Sequence, residues 1–185
     1  GTARLFEILD YPPEIQDRPS DSYPDLSGHI EVSHLSYRYE DKDKYALHDI
    51  TFEVSPGETI ALLGRVGSGK STLLRLFVRL LEPTSGDILL DGHPVAGFPL
   101  AQLRERVCLV LQDPFLFADS LGDNIAYDDP SRDHQEILEI AHAAALEETI
   151  EGFPEGLSTI LGERGVTLSG GEKQRAALAR GLIRR

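Results

Sequence analysis

The hydrophobic and polar positions divide the chain into short apolar runs separated by turn-forming residues. Residues 29–39 alternate apolar and polar side chains, imperfectly, and residues 46–54 repeat the pattern, which is typical of half-buried strands. A short apolar run, Thr59 to Leu63, predicts a further strand, and Val107 to Leu111 is apolar throughout, as expected of a strand covered on both faces. We therefore predict antiparallel strands beside an α/β core, with one more strand over 87–92.

Helical periodicity accounts for most of the remaining apolar positions. Residues 2–10 place Leu5, Ile8 and Leu9 on one face, and residues 70–81 are apolar nearly all round, which predicts a buried helix. A third helix, capped by Ser131 or Asp133, and a fourth over 173–185 complete the helical set. Their predicted apolar faces consist of Ile137, Leu138, Ala141, Ala144 and Ala145 in the third helix, and Ala177, Leu178 and Leu182 in the fourth.

Proline-rich residues separate the first helix from the rest of the chain. Residues 11–28 contain Pro12, Pro13, Pro19 and Pro24 among Asp and Ser, a composition that sustains neither helix nor sheet. We interpret this stretch as a linker. Asp128 and Asp129 precede Pro130 and predict a turn rather than a catalytic pair.

Length, charge and cysteine content exclude several classes of protein. The 185 residues suit one domain, and the net charge of −13 argues against nonspecific nucleic-acid binding. Cys108 is the only cysteine, so the chain forms no internal disulfide, and we predict a small core residue there. None of the six histidines has a metal-ligand spacing, and no segment reaches the length of a membrane span. Because the sequence contains no methionine, we expect that Gly1 is not the natural start.

The stretch GRVGSGKST, from Gly64 to Thr72, carries the clearest chemistry. It lies between a predicted strand and a predicted helix, and its spacing fits a phosphate-binding loop. In such a loop glycines let backbone N–H groups close around an anion, Lys70 reaches the β and γ phosphates, and the Ser71 hydroxyl is a ligand of Mg²⁺. A glycine-rich turn before a buried helix is the simpler alternative.

Two further motifs follow the loop in order: Gln112 at the end of the 107–111 run, and LSGGEKQR from Leu168 to Arg175. Together the three resemble the nucleotide-binding domain of exporter-type ATP-binding cassette (ABC) transporters, continuously over 29–185. Residues 160–165, ILGERG, look like the exporter loop that contacts the membrane domains. Residues 3–10, ARLFEILD, look like the tail of a last transmembrane helix.

The resemblance implies a fold and a domain organisation. The expected fold is an α/β P-loop NTPase core with an antiparallel β subdomain and an α-helical subdomain, incomplete at the C-terminus. Residues 1–28 would form the end of a transmembrane-domain helix and a linker. Residues 29–185 would form a partial nucleotide-binding domain, with the helical subdomain at 113–168.

The same resemblance assigns the binding of ATP and Mg²⁺ to particular residues. Tyr39 stacks on adenine, while Gln112 contacts Mg²⁺ and the attacking water and relays site occupancy to the membrane domains. Both Ser71 and Gln112 are counted as metal ligands. The residues counted as catalytic are Lys70, Gln112, Ser169, Gly170 and Gly171. The residues of the loop that surround the phosphates are Gly64, Arg65, Val66, Gly67, Ser68, Gly69, Lys70, Ser71 and Thr72.

Ser169, Gly170 and Gly171 are expected to serve a partner. In the family they face the γ-phosphate held by a second nucleotide-binding domain, so that two cassettes close head to tail around two ATP molecules. The other implied partner is the transmembrane domains, on the cytoplasmic face of the inner membrane. A helix cap explains Ser169 alone and not the whole run.

One departure from the family keeps alternatives open. The apolar strand ending in Asp and Glu, and the later switch histidine, are absent from the 185 residues. Our first hypothesis is an exporter ATPase that couples ATP binding and hydrolysis to transport. The second is a nonhydrolytic nucleotide-binding or interaction module. The third, a soluble ABC ATPase of DNA repair or translation, is disfavoured by the helix tail, the linker and ILGERG.

Overall fold

The structure, a computed structural model, describes residues 2–17, 26–162 and 166–184. It divides into two compact units, Gly1–Val107 and Cys108–Arg185. The chain begins with helix α1, Thr2–Leu9, whose side chains Leu5, Phe6 and Leu9 are exposed. The side chain of Ile8 lies outside the described part. None of the described helices is long and apolar enough to cross a membrane.

Four antiparallel strands form the sheet of the first unit. They are β1 (Ile30–Tyr37), β2 (Leu47–Val54), β3 (Ser85–Leu90) and β4 (His93–Pro94), in the order β2-β1-β3-β4. This confirms the strands predicted at 29–39, 46–54 and 87–92. The sheet buries one hydrophobic cluster, which consists of Val32, Leu35, Leu47, Leu73, Leu76, Ile88, Leu90, Val95, Phe98 and Leu103.

Helix α2 is shorter than predicted. It spans Lys70–Phe77, whereas the periodicity predicted helix as far as Leu81. Arg79 adopts a left-handed backbone with φ 47°, which ends the helix, and Arg104 donates to the carbonyls of Val78 and Arg79. A 3₁₀ turn, Val95–Gly97, and helix α3, Leu100–Arg106, follow β4.

The predicted strands at 59–63 and 107–111 are wrong as hydrogen-bonded strands. Within the described ranges neither run pairs with a neighbour, and Leu63 is 93% exposed. An apolar run becomes a buried strand only between neighbouring strands, and neither has them here. Cys108 is exposed as a result, so its prediction as a core residue is also wrong.

Short helices build the second unit around its own hydrophobic cluster. They are α4 (Leu121–Ile125), α5 (His134–Ala143), α6 (Glu147–Glu151), a 3₁₀ turn (Gly156–Ser158) and α7 (Gly170–Leu182). Asp133 caps α5 by accepting from Gln135 N, and Ile137 and Ala141 are buried as predicted. Ala145 instead leaves the helix with φ 57° and is exposed. The cluster includes Leu121, Ile125, Ala144, Leu146, Leu157, Leu161, Leu168, Ala176, Ala179 and Ile183.

Residues 11–17 and 26–28, the described parts of the predicted linker, have no regular structure. Hydrogen bonds nevertheless connect both parts to later residues of the first unit. Arg79, 2% exposed, donates to Gln16 O at 3.2 Å and to Phe98 O at 3.0 Å, and Asp17 accepts from Leu100 N. Pro19 and Pro24 lie outside the described residues, as do 163–165 of the ILGERG block.

Acidic side chains make two further local structures. Asp91 accepts from the backbone N–H groups of Ser27, Gly28 and His29 and from the Ser27 hydroxyl. Asp128 and Asp129 form the predicted turn, in which they accept from Arg132 and from Ser131. Among the described residues no cluster of His, Cys, Asp and Glu is arranged to hold a metal ion.

Candidate functional site

The phosphate loop leaves the start of α2 without a side-chain cap. Gly69 is the N-cap residue, in a left-handed conformation with φ 89°, and no side chain in the described part of the chain caps the first turn. Gly67 is also left-handed, with φ 80°. Because the first N–H groups of a helix have no intrahelical acceptor, an uncapped start attracts anions.

Close contacts within the first unit explain why position 69 is glycine, and a movable serine hydroxyl lies near position 64. A Cβ at Gly69 would lie 2.5 Å from the Ala46 carbonyl oxygen and 2.8 Å from Leu47 Cδ2. One at Gly64 would lie 2.6 Å from Ser68 Oγ. The backbone at the start of α2 is therefore pressed against the residues that begin β2, and any side chain at Gly69 would displace it.

Lys70 places its ammonium group over the loop. Its Nζ donates to the carbonyls of Gly64 at 2.7 Å and Arg65 at 2.9 Å. The cation thus lies beside the N-terminus of α2, where the helix dipole is also positive. Both contributions favour an anion at this loop.

Tyr39 is joined to the loop by its hydroxyl, which lies 3.1 Å from Thr72 Oγ1. Its ring packs edge-on against Tyr37, with ring centroids 4.8 Å apart. Burial raises the pKa of Tyr37, and the nearby Tyr39 adds to the effect. The predicted adenine-stacking residue and the predicted loop are therefore neighbours in this unit.

The exposed loop residues fit a magnesium-bound nucleoside triphosphate. Arg65, Val66 and Ser68 are exposed, and Ser71 is exposed in the first turn of α2. Uncapped N–H groups and one lysine suit phosphates, and a serine hydroxyl offers the kind of oxygen ligand that Mg²⁺ prefers.

The second unit contains the signature tip, which we define as Ser169, Gly170 and Gly171. Ser169 caps α7 and forms a reciprocal capping box with Glu172. The Ser169 N and Oγ both donate to Glu172 Oε2, at 2.7 Å and 2.6 Å. These hydrogen bonds from Ser169 lower the pKa of Glu172.

The described part of the chain gives no structural reason for the two glycines of the signature tip. All three tip residues are exposed. Among the atoms that the structure describes, a Cβ at Gly170 would meet none within 4 Å, and one at Gly171 would meet only Arg175 Nη1, at 3.5 Å. Neither has the left-handed backbone of Gly69.

Gln112 lies beside α7, because its carbonyl accepts from Gln174 Nε2 at 2.9 Å. Earlier in the same run, Cys108 Sγ lies 2.9 Å from where a Cβ of Gly181 would be. Residues 108–112 therefore run along the helix that begins with the signature tip. The structure thus groups the predicted site residues in two sets, the loop with Tyr39 in one unit and Gln112 with the tip in the other.

Two side-chain networks in the second unit were not predicted from the sequence. Thr149 Oγ1 donates to Glu172 Oε1 at 3.1 Å. Asn124, 1% exposed, accepts from Phe117 N and from Arg180, whose Nε also donates to the Asn124 carbonyl. The Ser-x-x-Glu spacing of 169–172 signals the capping box, but nothing in the sequence points to Thr149 or Arg180.

An uncapped helix start, a lysine over the loop and glycines under close contact define a P-loop nucleotide-binding protein. Comparison with known proteins narrows the class, because the family described as "ABC transporter" matches residues 47–185. The chain belongs to the ABC transporter family, as a nucleotide-binding domain of exporter type. The predicted P-loop NTPase fold is confirmed.

Several bacterial proteins are similar to this chain over nearly its whole length. An ATP-dependent lipid A-core flippase of Chromobacterium violaceum is 45% identical over 180 residues, 97% of this chain and 31% of that protein. The uncharacterized ABC transporter ATP-binding protein YfiB of Bacillus subtilis is 44% identical over 98% of this chain and 32% of that protein. A solved structure of a bacterial Atm1-family ABC exporter with ATP bound matches 99% of this chain and 32% of that chain, with a TM-score of 0.90 and 38% identity. The chain thus spans about a third of the length of the relatives it matches.

Proposed function

We propose that this chain is the ATP-driven part of a membrane exporter, in which two nucleotide-binding domains close head to tail around two ATP molecules. The proposal rests on the surroundings of Gly170. This residue is exposed at the start of α7, and among the described residues no neighbouring atom requires glycine there, nor does its backbone conformation. A glycine of this kind suits a surface that another molecule's phosphate approaches closely.

The residues of both sets have distinct proposed roles. When bound, ATP supplies the phosphoryl group, and Mg²⁺ supplies positive charge that offsets the charge of the phosphates during transfer. The start of α2 and Lys70 bind the β and γ phosphates, Ser71 is a ligand of Mg²⁺, and Tyr39 orients the adenine. Gln112 contributes a side-chain oxygen toward Mg²⁺ and the attacking water, and the signature tip completes the partner's site.

A groove of about 500 Å³ in the second unit is the proposed contact with the transmembrane domains. Leu161 and Gly162, from the block that resembles the exporter loop, line it together with Phe115, which is 70% exposed. Asp113 and Lys173 add one charge of each sign. An apolar groove with a few charges suits a short amphipathic segment of a membrane domain. In this proposal the chain lies at the cytoplasmic face of the inner membrane.

Phe115 offers a direct test of that contact. Because it is already exposed, Phe115→Glu should leave the melting temperature nearly unchanged while ATP-dependent transport by the full-length protein falls. Leu80→Glu, at an exposed leucine outside the groove, is the matched control and should transport normally. Full transport by Phe115→Glu would remove the groove from the proposal.

The decisive test of function is Lys70→Ala in the full-length protein. Sequencing the gene outward from the codons of Gly1 and Arg185 should first reveal membrane helices before the chain and an apolar strand ending in Asp-Glu after it. We then expect ATP turnover to fall by at least about a hundredfold, while Lys44→Ala, at an exposed lysine outside the loop, retains it. Normal turnover by Lys70→Ala would refute the proposal, and a stop codon directly after Arg185 would favour the nonhydrolytic alternative.

A further inference from the structure

Three hydrogen bonds converge on the carboxylate of Glu172, next to the signature tip. Oε2 accepts from the Ser169 N–H and hydroxyl, and Oε1 accepts from the Thr149 hydroxyl at 3.1 Å. Ser169 is only three residues from Glu172, whereas Thr149 belongs to α6, 23 residues before Glu172. The Thr149 bond is therefore the one that joins the tip to a separate element.

Helix α6 is well placed to anchor the carboxylate. Thr149 is 7% exposed, and Leu146, directly before α6, is completely buried. Ile150 and Phe153 pack against the hydrophobic cluster of this unit. Because Thr149 belongs to this packed element, its hydroxyl gives Oε1 a hydrogen-bond partner outside α7, in addition to the two that Ser169 gives Oε2.

The orientation of Glu172 decides which groups the tip can offer to an anion. The Ser169 hydroxyl has one proton, and it donates that proton to Glu172 Oε2. The Glu172 N–H in turn donates to Ser169 Oγ. The N–H groups of Gly170 and Gly171, in the first turn of α7, are the donors that the capping box leaves to another molecule.

We propose that Thr149 is a positioning residue for the signature tip, which acts through Glu172 to hold Ser169 as a cap and to present the Gly170 and Gly171 N–H groups to a phosphate. The inference rests on the proposed function, because it assumes that the tip acts on a partner's nucleotide. It adds a residue outside the motif, on a different helix.

Thr149→Val in the full-length protein tests the inference, since valine keeps the shape and removes the hydroxyl. We expect kcat for ATP to fall about three- to tenfold, as for the loss of one typical intramolecular hydrogen bond. The KM for ATP should change by less than about twofold, because the phosphate loop that binds the same chain's nucleotide is unaltered. Thr149→Ser retains a hydroxyl and should recover kcat.

Two further variants separate positioning from general stability. Thr159→Val is the matched control: Thr159 is 5% exposed in the same unit, and its hydroxyl accepts from Glu155 N rather than contacting Glu172. It should keep kcat even if its melting temperature falls. In a Glu172→Ala background Thr149→Val should cause no additional loss, because the two residues act through one contact.

The outcomes distinguish this inference from the proposed function. Normal kcat in Thr149→Val, an equal loss in Thr159→Val, or no recovery in Thr149→Ser would each overturn the role of Thr149. If Gly170→Asp abolishes turnover while Thr149→Val does not, only the inference fails. If Gly170→Asp keeps full turnover, the tip does not act on a phosphate and both fail.

Discussion

Gly69 and Gly170 both stand at the start of a helix, but for different reasons. At Gly69 the chain itself demands glycine, because a Cβ would lie 2.5 Å from the Ala46 carbonyl oxygen and φ is left-handed. At Gly170 the described residues leave room for a Cβ, since none of their atoms lies within 4 Å of it. Contacts within its own unit account for the glycine at position 69, whereas we propose that the signature tip is adapted to a partner. Substitutions at the two positions should therefore separate binding from cooperation with a partner.

The largest effect in this comparison is expected from Gly69→Ala, in the phosphate loop. The left-handed backbone costs alanine about 1 to 2 kcal/mol, and the overlap with Ala46 displaces the start of α2. We expect the affinity of the chain for Mg-ATP to fall by at least about tenfold, as measured by calorimetric titration. Gly57→Ala, which is left-handed but free of close contacts, should bind ATP normally. Equal affinity in Gly69→Ala would show that the close contact does not shape the loop.

Gly170→Asp should leave ATP binding by the single chain intact and reduce ATP turnover by the full-length protein. The side chain has room, so the melting temperature and the Mg-ATP affinity of the single chain should stay unchanged. In the full-length protein a carboxylate facing a phosphate is repulsive, and ATP turnover should fall more than about tenfold. A large loss of stability would contradict the comparison, because it would mean that the chain itself requires this glycine.

Asn124→Ala tests whether side-chain networks organise the second unit. The change removes the side-chain oxygen that accepts from the Phe117 N–H and from Arg180 Nη2, at a cost of about 2 to 4 kcal/mol in the free energy of unfolding. Burial already lowers the pKa of Arg180, so losing an acceptor for its guanidinium should lower the free energy of unfolding. Urea unfolding measures the change, and a value below about 0.5 kcal/mol would refute the network's role.

The smallest effect concerns Asp91, a case in which a side chain organises the first unit. Hydrogen bonds from Ser27, first its hydroxyl, and from the His29 and Gly28 N–H groups lower the Asp91 pKa to about 2. Stability from the carboxylate is complete above its unfolded pKa of about 3.9 and is lost as the pH falls through about 2. Asp91→Asn should lack this part of the acid dependence, seen as a flatter melting temperature between these values. Identical pH profiles for both proteins would contradict the assignment.

Contiguous motifs could be predicted from the sequence, and long-range contacts could not. The loop 64–72 and the tip 169–171 are read from neighbouring residues, as are the strands at 29–39 and 46–54. The contact that makes Gly69 obligatory comes from Ala46, and the group that orients Glu172 comes from Thr149. The runs 59–63 and 107–111 have strand composition, but a strand also needs neighbours, which composition does not supply. Cys108 was misplaced for the same reason.

The hydrogen bonds of Arg79 provide a path for force through the first unit. Its guanidinium connects Gln16, before the β-sheet in sequence, to the end of the helix that starts at the phosphate loop. A force applied to residues 2–17 would act on this hydrogen bond and on the one between Asp17 and Leu100 N before the force reached β1. The force would therefore reach the C-terminal end of α2 through the side chain of Arg79.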